Sequence, residues 1–330
     1  MDSRERVIRT LTFDKPDRTP IDVWILPAGW KKHGKPLRDE YNRADVDILV
    51  SPIPDPAVSA EQYNVGIYID GWGCEWHNLR EGMVGEVKVS PLEDIGKLKT
   101  YRAPTELIDA LGAIPECMDF RKNHPGKFIC GGWLTVFERM QFLRGTENLL
   151  MDIALDEKEI YLLRDIVLDY NMKYLKYILN YDIDAVMFGD DWGSQINSLI
   201  SPAQWKKIFK PAYEEMFHLV KQSGKYVFFH SDGHILSLYD ELLTLPIDAI
   251  NSQIWCMGID NVAKYKGKIT FWGEVSRQQT LPYGTPADVT DACMQMKEKL
   301  TVDGAGLIGQ AELDVMTPME NIKAFFGAWR

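Results

Sequence analysis

The chain predicts an α/β fold, a TIM (β/α)8 barrel with an elaborated N-terminal region, and three observations predict it. Short β-rich runs alternate with longer amphipathic segments through the second half, the runs open on continuous apolar residues, and they close on polar ones. Alternation of strand and helix implies parallel βα units. Strands apolar on both faces belong in a sheet covered on both sides. Polar strand ends in succession suit a barrel, whose C-terminal mouth gathers the catalytic groups. The 330 residues fit one barrel domain, 1–330, because α/β barrels routinely run this long.

IDVWIL (21–26) is the expected first strand. From about 31 to 125 the βα rhythm is lost, with loops and a hairpin signal near GMVGEVKVS, so an insertion is expected there. The rhythm resumes with KFICGGW (127–133), AVMFGDD (185–191), YVFFHSDG (226–233), AINSQI (249–254), ITFWGEV (269–275) and GLIGQAE (306–312). Helical patterns separate most of them. Thr285-Pro286 and Thr317-Pro318 read as N-cap and first helical residue. Gly224 reads as the glycine closing the helix before YVFFH.

Net charge is −11, which argues against nucleic acid and anionic membrane surfaces. The five cysteines are scattered and lack a CxxC pair, as free thiols of a reducing cytoplasm would be. No stretch approaches the ~20 apolar residues of a membrane span, and the charged start MDSRERVIRTL lacks a signal peptide's apolar core. Neither a dinucleotide fingerprint nor a phosphate loop is present. A cytoplasmic enzyme is expected.

The strand ends carry the chemistry. AVMFG ends in Asp190, Asp191 and Trp192, with Gln195 beyond; YVFF ends in His230, Ser231 and Asp232; AIN leads to Gln253 and Trp255; ITFWG ends in Glu274; GLIG leads to Gln310 and Glu312. His230, Glu274 and Glu312 form the sharpest constellation. One imidazole and two carboxylates from neighbouring strands can hold a divalent metal such as Zn²⁺ with an open position. The same residues also suit a metal-free hydrogen-bonded network around an organic substrate. Asp232 is a further ligand or a partner fixing the His230 tautomer. Adjacent strand residues face opposite ways, so at most one of Asp190 and Asp191 meets the pocket. Asp191, Asp232 and His230 are the catalytic candidates. Trp24, Trp133, Trp192 and Trp255 can wall an aromatic pocket with Gln253, although ordinary core packing accounts for any single tryptophan. His77, His124, His218 and Cys256 read as structural.

RERVIRTLTFDKPDRTPIDVW, FERMQFLRGTENLLMDIALD, FGDDWGSQINSLISPAQWKKIFKPAYEEM, HSDGHI, FWGEVSRQQTLPYGTPADV and TPMENIKAFF occur in this order. Across almost its whole length the chain thereby resembles the uroporphyrinogen decarboxylase superfamily. True decarboxylases of that superfamily carry an arginine-rich N-terminal motif, RQAGRYLPEY, that grips substrate carboxylates. WILPAGWKKHGKPLRDEYN stands here instead. Thiol-dependent methyltransferases of the superfamily bind zinc through His-x-Cys and a distant cysteine. Here the first motif is His230-Ser231-Asp232 and the second region reads GQAELD, so both sulfur ligands are missing.

The resemblance therefore points to corrinoid-dependent methyltransferases of anaerobic O-demethylase systems. It implies methyl transfer from a methoxylated compound, commonly an aryl methyl ether, to cob(I)alamin on a partner corrinoid protein. A harder His/carboxylate ligand set suits Lewis-acid activation of an ether oxygen. A cofactor-independent decarboxylase or lyase and a thiol-type corrinoid methyltransferase are the alternatives.

Overall fold

The computed structural model describes residues 1–330. Eight parallel strands make the barrel: β1 (Ile21–Ile25), β2 (Ile48–Val50), β6 (Phe128–Leu134), β7 (Ala185–Gly189), β8 (Tyr226–Ser231), β9 (Ala249–Ser252), β10 (Thr270–Glu274) and β11 (Leu307–Leu313). Between β2 and β6 lies an antiparallel sheet of β3 (Gly66–Ile69), β4 (Glu75–Asn78) and β5 (Glu86–Val89). This is the expected insertion, and β5 is the second strand of the hairpin read from GMVGEVKVS.

The barrel closes between β1 and β2, which the sequence left unseen because β2 has only three residues. Asp47 makes the seam. Its carboxylate accepts from the Ile21 amide at 2.7 Å, and its own amide donates to the Ile21 carbonyl at 2.9 Å. Arg6 and Arg18 neutralise the buried charge at 2.5 and 2.7 Å. Charge-assisted bonds of this kind compensate for desolvation.

Two apolar clusters follow from strand alternation. Ile48, Phe128, Cys130, Ala185, Met187, Phe228, Ala249, Trp272 and Ile308 point inward and fill the barrel. Their outward neighbours, such as Val186, Phe188, Val227, Phe229, Ile250 and Phe271, pack under the surrounding helices. The helix Ser3–Leu11 plugs the bottom: Val7 and Leu11 join the interior cluster, and the Thr10 carbonyl accepts from Thr270 Oγ1 and the Gly306 amide, both at 3.2 Å.

Helix punctuation is mostly as expected. Thr285 and Asp288 form a capping box before Pro286–Leu300, and Gly224 follows the helix Lys210–Gln222 with φ +71°. At the last helix the position shifts by one: Pro318 occupies the N-cap of Met319–Ala328, while the Thr317 hydroxyl bonds Asp314 Oδ1 at 3.2 Å. The run PAQWKKIFKPAYEEMF breaks into two helices at Phe209, ahead of Pro211.

Asp70 fastens the inserted sheet to the barrel. It accepts from the Trp72 and Cys74 amides, from Trp76 Nε1 and from Arg139 Nη1, all at 2.9–3.0 Å. Arg139 also lies over the Trp72 ring at 5.1 Å, an attractive cation–π placement.

Asp22 sits inside the barrel, 3% exposed, with Trp272 Nε1 donating to it at 2.8 Å. Burial pushes its carboxyl up to about 7. An acid raised in the fold binds its proton more tightly there than in the unfolded chain. Its stabilising contribution is thus full below about pH 4 and is lost as pH rises through about 7. Asp22→Asn is expected to flatten this dependence and to stabilise the protein above pH 7 by up to a few kcal/mol, read from urea midpoints at pH 5, 6, 7 and 8. A variant with the wild-type pH slope would contradict it.

Candidate functional site

Inward positions at the tops of β7, β8, β9, β10 and β11 continue the interior alternation, two residues at a time, into Asp191, His230 and Asp232, Gln253, Glu274, and Gln310 and Glu312. They form a ring of mostly acidic side chains around the C-terminal mouth.

The adjacent Asp190 and Asp191 separate as strand geometry requires. Asp190 is fully buried and faces away from the mouth. It accepts from the Val136 and Glu138 amides, each at 2.7 Å, and from the Tyr213 hydroxyl, so it caps the helix Phe137–Arg144. Burial raises its carboxyl to about 7. Asp191 turns inward, where its Oδ1 lies 3.5 Å from His230 Nε2. Asp232 Oδ1 lies at 3.5 Å from the same nitrogen.

This spacing has a chemical meaning. Tetrahedral ligands at metal bonds of about 2.0–2.1 Å stand about 3.4 Å from one another. Single ligand atoms of Asp191, His230 and Asp232 all lie within 4.8 Å of one another. Asp232 Oδ1 is buried without a hydrogen-bond partner, an orphan acceptor that a cation would satisfy.

The histidine tautomer follows from its neighbour. Asn251 Nδ2 donates to the Trp272 carbonyl at 2.6 Å and to Gln310 Oε1 at 3.3 Å. That turns Asn251 Oδ1 toward His230 Nδ1, 2.6 Å away. An amide oxygen only accepts, so Nδ1 carries a proton, and Nε2 is the ring nitrogen left to face a cation between the two carboxylates. The donor set of one imidazole and two carboxylates, with the outer ring nitrogen anchored, fits a divalent metal such as zinc.

The cluster differs from the expected His230–Glu274–Glu312 set. His230 stays, but Asp191 and Asp232 take the places of the two glutamates. Only Asp191, His230 and Asp232 bring ligand atoms within 4.8 Å of one another, while the glutamates gather at Arg277, whose guanidinium pairs with Glu312 and Asp232 and whose Nε lies 4.0 Å from Glu274 Oε2. Glu274 is 2% exposed and its Oε2 has no hydrogen-bond partner. Burial pushes its carboxyl well above the usual range, and the charges of Glu312 and Asp191 push it further. Glu138, beside Asp191 and Asp190, is raised for the same reasons.

Aromatic walls stand on the other side of the imidazole. The ring centroids of Trp24 and Trp133 lie 5.2 and 5.4 Å from that of His230, and 5.6 Å from each other, edge to face. Strict alternation from Phe128 and Cys130 would turn Trp133 outward. A register shift between Gly131 and Leu134, with Gly132 at φ +72°, inserts a bulge that re-aims it. Trp133 is 39% exposed, so its face is open to the mouth. Gly189 makes room for it: a Cβ there would stand 2.2 Å from the indole.

Gln253 and Trp255 are at the mouth as expected. Gln253 Oε1 accepts from Gln195 Nε2 at 2.7 Å, and Trp255 Nε1 donates to the Glu274 carbonyl at 3.0 Å. Both line a small cleft with Glu274 and Arg277. Trp192 is elsewhere. It is fully buried, stacked on Phe137 at 4.1 Å and edge-on to Phe209 at 4.6 Å, because the loop folds back and Leu199 N donates to the Trp192 carbonyl at 2.7 Å.

Arg277 and Asn251 were the residues missed. A cation three residues past an acidic strand end was a usable signal for Arg277. Asn251 becomes visible only through the β8–β9 register, which pairs it with His230.

Two glycines bring the ligand-bearing loops together. The Gly193 amide donates to the Asp232 carbonyl at 3.2 Å, and the Asp232 amide donates to Asp191 Oδ1 at 2.9 Å. A Cβ on Gly233 would stand 2.1 Å from the Gly193 carbonyl oxygen, and one on Gly193 would stand 2.4 Å from the His234 amide nitrogen.

The family model described as uroporphyrinogen decarboxylase (URO-D) matches residues 78–330. No curated protein matches the chain. Among solved structures, a methyltransferase from Methanosarcina mazei superposes with a TM-score of 0.74 at 16% identity, covering 99% of this chain and 98% of that one. The catalytic core of xylanase A gives a TM-score of 0.46 at 8% identity, covering 95% and 98%. At 16% identity the likeness to the methyltransferase is one of fold.

Proposed function

Since the chain belongs to the uroporphyrinogen decarboxylase family, we propose that it is a methyltransferase that takes a methyl group from a methoxylated substrate, most simply an aryl methyl ether, and passes it to cob(I)alamin on a partner corrinoid protein. The observation carrying this reading is the Asp191–His230–Asp232 cluster beneath the Trp24–Trp133 wall.

A divalent cation held by that cluster would supply Lewis-acid pull on the ether oxygen. The protein's own residues do the rest. Trp133 offers an open face against which an aromatic ring stacks. Gln253 and Gln195 present amide groups to the substrate's polar edge. Glu274, whose carboxyl burial pushes well above the usual carboxylate range, is the group placed to give a proton to the departing oxygen. The C–O bond breaks as the methyl carbon passes to cobalt, the oxygen leaves with the electron pair, and the Glu274 proton neutralises it. Porphyrinogen decarboxylation is disfavoured by the mouth's charge, because its guanidinium, Arg277, is already paired with Asp232 and Glu312 where a polycarboxylate needs several free cations.

The test is anoxic incubation with cob(I)alamin and a panel of methoxybenzenes, following methylcobalamin formation. Methyl loss from at least one of them is the expected result. Glu274→Gln is expected to slow it by roughly 10²–10⁴-fold with zinc binding unchanged. No transfer from any member of the panel, together with CO₂ release from an aryl carboxylic acid, would overturn the reading in favour of a lyase.

A further inference from the structure

Arg277 is held in an unusual way among the buried arginines of this chain. Arg144 is tied to backbone carbonyls, Arg121 donates to the Lys127 carbonyl, and Arg139 lies over two aromatic rings. The hydrogen-bond partners of the Arg277 guanidinium are carboxylates alone, Asp232 through Nη2 and Glu312 through Nη1, and Glu274 Oε2 is 4.0 Å from its Nε. It sits just past the end of β10, 20% exposed. Exchangeable ion pairs are what hold its guanidinium.

Asp232 is the shared residue. Its Oδ2 belongs to Arg277, while its Oδ1 is buried, has no partner and faces His230 Nε2. We infer that Arg277 is a resident cation that competes with a divalent metal for Asp232, so that the position of this guanidinium sets ion occupancy of the Asp191–His230–Asp232 cluster. The inference rests on the metal reading of that cluster.

The physical argument is electrostatic. A guanidinium and a divalent cation on the two oxygens of one carboxylate repel each other, and the shared charge of Asp232 is divided between them. Glu312 gives Arg277 somewhere to go, since the guanidinium can keep that pairing and release Asp232 without leaving the mouth. Removing one like charge within about 5 Å of a divalent ion at a partly solvated site is worth roughly tenfold in affinity.

Zinc dissociation constants, read by competition with a chromophoric chelator, test this in wild type, Arg277→Gln, Arg277→Lys, His230→Ala and the Asp232→Asn/Arg277→Gln pair. Arg277→Gln is expected to bind zinc roughly tenfold more tightly, and that gain is expected to vanish when Asp232 is also changed. Arg277→Lys keeps the charge but spans one carboxylate at a time, so a smaller gain is expected; it decides the matter if the glutamine variant does not fold, and no gain there overturns the inference. Wild-type or weaker affinity in folded Arg277→Gln also overturns it, while the metal reading survives if His230→Ala still loses zinc. No zinc binding by any variant removes both.

Discussion

Replacing His230 with alanine is expected to leave a folded barrel that has lost its metal affinity by more than about a hundredfold and its methyl transfer with it. The imidazole Nε2 is the shared vertex of the cluster, 3.5 Å from an oxygen of Asp191 and of Asp232. Without it two carboxylates remain, one of them already paired with the Arg277 guanidinium. Asn251→Ala should do less, about 10–100-fold, because it removes only the group that orients the ring. Dialysis against zinc, with circular dichroism to confirm folding, reads both. A His230→Ala protein that binds zinc as wild type does would exclude this cluster as the metal centre.

The second large effect is expected at Gly233. Its backbone lies at φ +77°, where an alanine is strained, and its Cβ would collide with the Gly193 carbonyl. Left-handed strain and overpacking each cost ~1–3 kcal/mol, so Gly233→Ala should lose about 4 kcal/mol and push apart the loops that carry Asp191 and Asp232. Gly224 provides the control. Its φ is +71°, but nothing lies within 4 Å of its would-be Cβ, so Gly224→Ala should cost only about 1 kcal/mol. Equal losses in urea titrations would mean that backbone conformation alone, not the crossing of the loops, sets the cost.

The parts of the fold legible in the sequence were those written in local chemistry. The strands β6 to β11 announce themselves by continuous apolar runs with polar ends, and the split between Asp190 and Asp191 follows from strand geometry. The rest depended on long-range geometry. β2 is too short to carry a pattern, and it is specified by Asp47 reaching Ile21 across the seam. Trp133 enters the mouth through a bulge, which shifts side-chain parity without leaving a mark beyond two adjacent glycines. Trp192 looked like a mouth residue because it follows two aspartates, yet the loop returns it to the core. The glutamates of the expected metal set are at the mouth, but an arginine from the next loop pairs with Glu312 and approaches Glu274.

The helix that plugs the bottom of the barrel has a kinetic consequence. With Val7 and Leu11 packed into the barrel interior at one end, the acidic ring opens at the C-terminal mouth, and what reacts there shares that opening. On the reading proposed above, with a methoxylated donor and a corrinoid protein as acceptor, the small donor is seated before the bulky acceptor covers the opening, and the demethylated product waits behind it. Turnover should therefore follow a compulsory order, donor first, and an excess of the acceptor protein should inhibit by closing the door on an empty site.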